Sequence, residues 1–282
     1  MSTDVMSTDV MSTGPISTPL DQLFVRVRQE NRAALIAYIP AGFPTQEGCK
    51  KVIQAFIDGG VDAIEIGFPY SDPVMDGPTI QAAADQALAQ GTSAADVFDA
   101  LKCATDSGVP AVVMTYWNPI EKYGVDKFAK SIADNGGSGV ITPDLTIEES
   151  APWMSAVKAS AINPIFVVAP STLDARLEKV TSQCSGFIYA ASLMGVTGTR
   201  TSVSSGASDL VARIKETTDK PVAVGLGVST REQAKGVAAY ADGVIVGSAF
   251  VNKILDNSDL ETGLREITEL AKELSKGVRE GR

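Results

Sequence analysis

The 282-residue sequence predicts an α/β fold: a single (β/α)8 TIM barrel with an extra N-terminal helix and a C-terminal outer helix. Three observations carry that prediction. Eight short apolar runs recur along the chain without the strict alternation of half-exposed strands. That is the pattern of strands buried on both faces of a parallel sheet. Amphipathic helical stretches separate the runs, and eight such units in succession favour a closed barrel over the alternative, an open doubly wound sheet.

Residues 1–13 read MSTDV, MSTDV, MST, a repeat at Met1, Met6 and Met11 with no core-forming face. Residues 1–18 are therefore expected to form a disordered tail outside the fold, and 19–282 the barrel domain. A first helix is expected from the spacing of Leu20, Leu23, Phe24 and Val27. The predicted strands are Leu35–Ile39, Asp62–Ile66, Ala111–Met114, Gly139–Ile141, Pro164–Val168, Gly186–Tyr189, Pro221–Val224 and Gly243–Val246. Helical periodicity covers Cys49–Ile57, Ala94–Thr105, Phe128–Asn135, Leu173–Val180, Leu210–Thr217 and Arg231–Tyr240. Thr45, Ser93, Asp126, Thr146, Thr172 and Ser229 are read as N-caps. Leu260, Leu264, Ile267, Ala271 and Leu274 mark a final helix laid on the outside.

Composition excludes several classes. Hydrophobic residues make up 44% and charged residues 21% of the chain, which is ordinary for a globular protein and unlike a disordered or disulfide-stapled one. The net charge of −10 gives no electrostatic footprint for nucleic acid or an anionic membrane. The absence of histidine removes every His-based catalytic triad and every His-ligated metal site, and no metal centre is expected. Cys49, Cys103 and Cys184 are isolated, with no CxxC spacing, as in a cytoplasmic protein. No apolar run reaches membrane-spanning length and no signal peptide is evident.

In such a barrel, chemistry belongs at the carboxyl ends of the strands. Two glycine-rich turns stand where barrels bind phosphate: Gly225-Leu226-Gly227 after the seventh strand and Gly247-Ser248-Ala249 after the eighth. Gly195-Val196-Thr197-Gly198 follows the sixth. These glycines also fit ordinary strand-to-helix turns. Glu65 sits inside the apolar second strand, where an unpaired carboxylate is costly and its pKa is driven up. It is read as an acid/base, against a structural glutamate bonded within the barrel. The proline-rich loop Phe68–Thr79 carries Asp72 and Asp76. Two carboxylates at one barrel mouth divide acid and base work, yet a turn before Pro73 and an Asp-Gly turn explain them equally well. Tyr38, Met114, Tyr116, Val167, Tyr189 and Leu226 would ring the site with apolar and aromatic surface, though each singly also fits plain core.

The run Glu65-Ile-Gly-Phe-Pro-Tyr-Ser-Asp-Pro-Val-Met-Asp-Gly-Pro-Thr-Ile-Gln81 closely resembles the signature of the tryptophan synthase alpha chain family. Pro40-Ala-Gly-Phe-Pro44, Met114-Thr-Tyr-Trp-Asn-Pro119, Pro143-Asp-Leu145, Gly195-Val-Thr-Gly198, Gly225-Leu-Gly227 and Gly247-Ser-Ala249 resemble its other segments, in order. The resemblance runs from about Leu20 to Leu274. It implies retro-aldol cleavage of indole-3-glycerol phosphate to indole and glyceraldehyde 3-phosphate, with no cofactor in this chain. Glu65 matches the family's acid/base, and Asp76 the aspartate that bonds the indole N–H. Tyr189 matches a tyrosine near the glycerol chain, and Thr197 the threonine of a loop that positions the aspartate. Gly198, Gly227, Gly247 and Ser248 match its phosphate site. Tyr38, Met114, Tyr116, Pro143, Val167 and Leu226 are expected in the indole pocket. The implied partner is a tryptophan synthase beta chain carrying pyridoxal phosphate. Leu193, where some members carry arginine, and Thr146, where proline is usual, depart from the family.

Other readings are a different phosphate-binding barrel, such as an isomerase, a scaffolding subunit, or a self-sufficient indole-producing lyase. The first would not share the Phe68–Thr79 loop. Glu65 and Asp76, both present, argue against the second.

Overall fold

The computed structural model describes residues 17–191, 205–225 and 227–282. Among them, eight parallel strands close into a barrel in sequence order. The strands are β1 (Ala34–Pro40), β2 (Ala63–Gly67), β3 (Ala111–Met114), β4 (Gly139–Thr142), β5 (Asn163–Val168), β6 (Ile188–Ala191), β7 (Val222–Gly225) and β8 (Gly243–Val246). The helices are α1 (Pro19–Gln29), α2 (Gln46–Asp58), α3 (Pro78–Ala89), α4 (Ala94–Asp106), α5 (Trp117–Tyr123) and α6 (Val125–Asp134). They continue as α7 (Ala151–Ala159), α8 (Asp174–Gln183), α9 (Ser205–Thr217), α10 (Arg231–Ala238), α11 (Ser248–Leu255) and α12 (Leu260–Glu280). The predicted closed barrel, first helix and outer final helix are all present.

β1, β2, β3, β4 and β8 are buried along their whole length, as strands covered on both faces must be. The register carries a tilted row of inward positions around the wall, from Tyr38 to Glu65, Val112, Gly139 and Asn163. The row starts at the mouth with Tyr38 and ends at the floor with Asn163. Gly139 has no room for a side chain, because a Cβ there would lie 2.6 Å from the Asn163 carbonyl.

Helix α1 closes the floor. Its Thr18 N-cap forms a capping box with Asp21, and both reach the barrel interior. Asn163 Nδ2 donates to Thr18 Oγ1 at 2.8 Å and to Asp21 Oδ2 at 3.3 Å, while Asn163 Oδ1 accepts from Ser185 Oγ at 2.6 Å. Phe24 packs on Phe187, with ring centroids 5.7 Å apart. Two aspartates preceding strands tie neighbouring strands together. Asp62 accepts the N–H of Leu35 and a bidentate pair from buried Arg32; Asp242 accepts the N–H of Val222 and pairs with Arg282.

Local details differ from the sequence prediction. The sixth strand starts at Ile188, because Gly186 takes a positive φ of 74° in the turn before it. Thr45 and Ser93 cap as expected. Thr230 replaces Ser229 as the cap of α10, and Gly124 replaces Asp126 at α6. Ser150 caps α7 in place of Thr146. Thr172 lies one residue before the Leu173 cap of α8, and its hydroxyl accepts the Ala169 N–H instead.

Candidate active site

The carboxyl ends of the strands open into a cavity of about 730 Å³, a size suited to a small organic ligand. Glu65, at the centre of β2, projects into it. Glu65 is 2% exposed, and among the described residues its Oε2 has no hydrogen-bond partner. Burial first, and the charge of Asp76 second, push its carboxyl up to about 8. Asp76 comes from the loop after β2. Burial raises its pKa too, while a hydrogen bond from the Tyr116 hydroxyl pulls it down.

The loop bearing Asp76 is fixed at several points. Gln81 Nε2 donates to the Asp76 carbonyl at 2.7 Å. The Met75 N–H donates to Tyr116 Oη at 3.1 Å. The ring of Tyr116 packs on Tyr70, with centroids 5.1 Å apart, and Asn118 Nδ2 donates to Tyr70 Oη at 3.2 Å.

Two tyrosines complete the wall near the carboxylates. Tyr38 crosses over Gly67, where any Cβ would overlap its hydroxyl. Tyr189 crosses over Gly225, where a Cβ would lie 2.6 Å from its hydroxyl. Glycine at these strand ends is therefore what lets each ring lie flat over the neighbouring strand. Both phenols sit well above their usual pKa, mainly through burial and then through the two carboxylates. They are neutral hydrogen-bonding groups at any physiological pH.

Met114, Pro143 and Val167 line the cavity and give it apolar surface. Gly227, Gly247 and Ser248 line another part. Gly227 has a φ of 66°, which favours glycine, and Ser248 opens helix α11. The first N–H groups of that helix have no intrahelical acceptor and face the end where an anion is favoured. No lysine or arginine lines the cavity among the described residues. Tyr116 does not line it; its ring stands behind Met75 and Asp76. Leu226, Thr197 and Gly198 lie outside the described residues.

Sequence reasoning missed several lining residues: Ile141, Ile245 and the Ala169–Ser171 turn. Ile141 and Ile245 were detectable, since each pairs in register with an inward residue, Met114 and Ile36 respectively. The Ala169–Ser171 turn carried no signal, because no motif marks it.

Fold and site together are those of a (β/α)8-barrel enzyme with two carboxyl groups facing the cavity at the mouth of the barrel. The chain belongs to the tryptophan synthase alpha chain family, whose model matches residues 24–279. It is thus a carbon–carbon lyase of tryptophan biosynthesis, cleaving indole-3-glycerol phosphate to indole. It is 52% identical to the tryptophan synthase alpha chain of Thermobifida fusca, over 93% of this chain and 98% of that one. It is 54% identical to that of Streptomyces avermitilis, over 93% and 95%. Among solved structures it resembles ligand-free tryptophan synthase from M. tuberculosis, with TM-score 0.86 and 44% identity over 93% of this chain and 100% of that one. It also resembles the a2b2 tryptophan synthase complex of Pyrococcus furiosus, with TM-score 0.80 and 34% identity over 86% and 98%. No helix among the described residues is long and apolar enough to cross a membrane.

Proposed function

We propose that Glu65 is the acid/base of the cleavage and Asp76 the group that stabilises charge on the indole ring. The observation that carries this is the Glu65 carboxyl: buried, unpaired at Oε2 and facing the cavity. With its pKa near 8 it holds a proton at neutral pH, which is the state a general acid needs. Glu65 gives that proton to indole C3. The ring nitrogen takes up the resulting positive charge, and ionised Asp76 accepts the N–H and stabilises it. The C3–C1′ bond then breaks, its electron pair returning to the ring. The glycerol hydroxyl on C1′ loses its proton to the Glu65 carboxylate and becomes the aldehyde of glyceraldehyde 3-phosphate. Proton and electrons balance without an outside reagent, so no cofactor is needed in this chain.

Met114, Ile141, Val167 and Pro143 would hold the ring, with Tyr38 and Tyr189 flanking the carboxylates. The phosphate would rest on backbone N–H groups at Gly227, Gly247 and Ser248 and on the N-terminus of α11. With no cation lining the cavity among the described residues, phosphate recognition falls to the backbone there. Thr197, Gly198 and Leu226 would complete the loop, the phosphate site and the pocket.

The partner would be a pyridoxal-phosphate tryptophan synthase beta chain in a two-alpha, two-beta complex. The likeness to the Pyrococcus furiosus complex supports this. So do the exposed Val74 and Met75 on the Asp76 loop, since apolar side chains left on a rigid loop mark a contact surface. A cytoplasmic location fits the three unpaired cysteines. The test is Glu65→Gln, which keeps shape and removes the proton. Indole release should fall at least ~10³-fold. Near-normal release would remove Glu65 from the chemistry.

A further inference from the structure

We propose that Arg213, on α9, is a positioning residue for the cavity: its guanidinium holds in place the Ala169–Ser171 turn that forms part of the cavity wall. The turn follows β5 directly. It continues the wall from Val167, which pairs in register with Tyr189 of β6. Ala169, Pro170 and Ser171 all line the cavity.

The turn sets its own shape. The Thr172 N–H donates to the Ala169 carbonyl at 2.9 Å, and the Ala169 N–H donates to Thr172 Oγ1 at 3.0 Å. Pro170, the second of these four residues, has its φ fixed by its ring and no N–H to satisfy. These bonds are internal, so they shape the turn without fixing how it stands on the barrel. The start of α8 does not fix it either. The N-cap there is Leu173, which makes no side-chain cap and is 75% exposed.

Arg213 supplies the missing orientation. Its Nη1 donates to the Pro170 carbonyl at 3.1 Å, its Nη2 to the Thr172 carbonyl, and its Nε to Asp174 Oδ1 at 2.8 Å. All three nitrogens of one planar group are thus engaged across residues 170–174. A guanidinium offers its N–H donors in a rigid fork, so three acceptors met together fix direction as well as distance. The helix behind it is anchored, since Leu210, Val211 and Ile214 of α9 are buried in the core. Asp174 contributes least, because its side chain is 82% exposed and an ion pair so exposed is screened by water. The two carbonyl bonds carry the positioning.

The turn holds no group that moves a proton; Glu65 and Asp76 stand on β2 and the loop after it. Displacing the turn loosens binding in the ground and transition states alike, which raises KM and spares kcat. This kinetic consequence rests on the reading of the cavity as the site that cleaves indole-3-glycerol phosphate. The clamp itself does not.

The experiment therefore has two readouts, amide hydrogen exchange at Ala169 and Thr172 and steady-state indole release. It compares wild type with Arg213→Ala, Asp174→Asn and Arg176→Ala. Arg176 lies on α8 and pairs bidentately with Glu148, so its loss controls for a broken surface ion pair elsewhere. Arg213→Ala should speed exchange at both amides at least ~10-fold and raise KM about 5-fold, with kcat within about twofold. Asp174→Asn keeps both carbonyl bonds and should match wild type, as should Arg176→Ala. Unchanged exchange and KM in Arg213→Ala overturn the proposal, and so does an equal rise of KM in Arg176→Ala. Should Arg213→Ala fail to fold, Arg213→Met, which keeps the apolar stem and has no donor, must show the same two changes. A wild type that releases no indole overturns the reading of the reaction instead, and the exchange rates then decide the clamp alone.

Discussion

A carboxylic acid inside a barrel wall is costly, and Glu65 shows how that cost is met. It stays protonated. Folding raises its pKa from 4.5 to about 8, so the native state binds the extra proton between those values and the unfolded chain does not. Stability from this group is fully present below pH 4.5 and is lost as pH rises through 8. Glu65→Gln removes that dependence. The variant should match wild type in thermal stability at pH 5 and exceed it at pH 9 by on the order of 2–4 kcal/mol. Equal stabilities at both pH values, measured by calorimetry, would show that Glu65 does not titrate as described. Glu65 was legible in the sequence because charge inside an apolar strand is conspicuous. Asp76 was only half legible, since an Asp-Gly turn explains it equally well without the Met75–Tyr116 and Asp76–Gln81 bonds that fix the loop. The bond from the Met75 N–H to the Tyr116 hydroxyl was not legible, because it arises from a loop folding back across β3 and no local spacing encodes it.

At the scale of elements, the loop after β2 and helix α1 do opposite jobs at opposite ends of the barrel. The loop is stiffened by Pro69, Pro73 and Pro78 and anchored to α5 and α3, so Asp76 is held without an element of regular structure beneath it. Helix α1 plugs the floor with a buried polar knot of Thr18, Asp21, Asn163 and Ser185. Asn163→Ala would strand the Ser185 hydroxyl and leave space above Gly139 and Gly186. It should cost ~2–3 kcal/mol in urea unfolding while leaving KM for the substrate within twofold. A change under ~0.5 kcal/mol would mean that α1 is held by its apolar face alone. The helix was readable from Leu20, Leu23, Phe24 and Val27, whose spacing is local. The knot was not, because Asn163 lies 145 residues from Thr18 and opens a strand that reads as plain apolar. Caps failed at α6, α7, α8 and α10: α6 and α8 open on Gly124 and Leu173, which carry no polar cap signal, and at α7 and α10 another hydroxyl residue stood near the start.

For the whole molecule, closure of the barrel follows from eight repeated units and from small residues where strands crowd. Gly139, Gly243 and Ala223 let neighbouring chains approach on the inside of the wall. That repetition made the architecture legible even where strand boundaries were off by a residue or two and helix boundaries by up to five. The same closure brings the carboxylate of β2 and the glycines that follow β7 and β8 onto one cavity. That cavity is thereby lined both by the Glu65 carboxyl and by the Gly227, Gly247 and Ser248 backbone. An anion held by backbone N–H groups and a helix end should contribute most of the substrate's anchoring. Removing the phosphate from the substrate should therefore lower kcat/KM by at least ~10²-fold, with kcat itself falling if remote binding energy orients the ring. Equal kcat/KM for the two would remove the anion site from Gly227, Gly247 and Ser248.

The proposed chemistry places the proton for cleavage of indole-3-glycerol phosphate on one buried carboxyl, that of Glu65. The most direct measurement is indole release from that substrate by the purified chain and by Glu65→Gln, each alone and with a tryptophan synthase beta chain. Release by wild type should rise with the partner, and the variant should show none above background under either condition. Comparable release by the folded variant would contradict that placement of the proton.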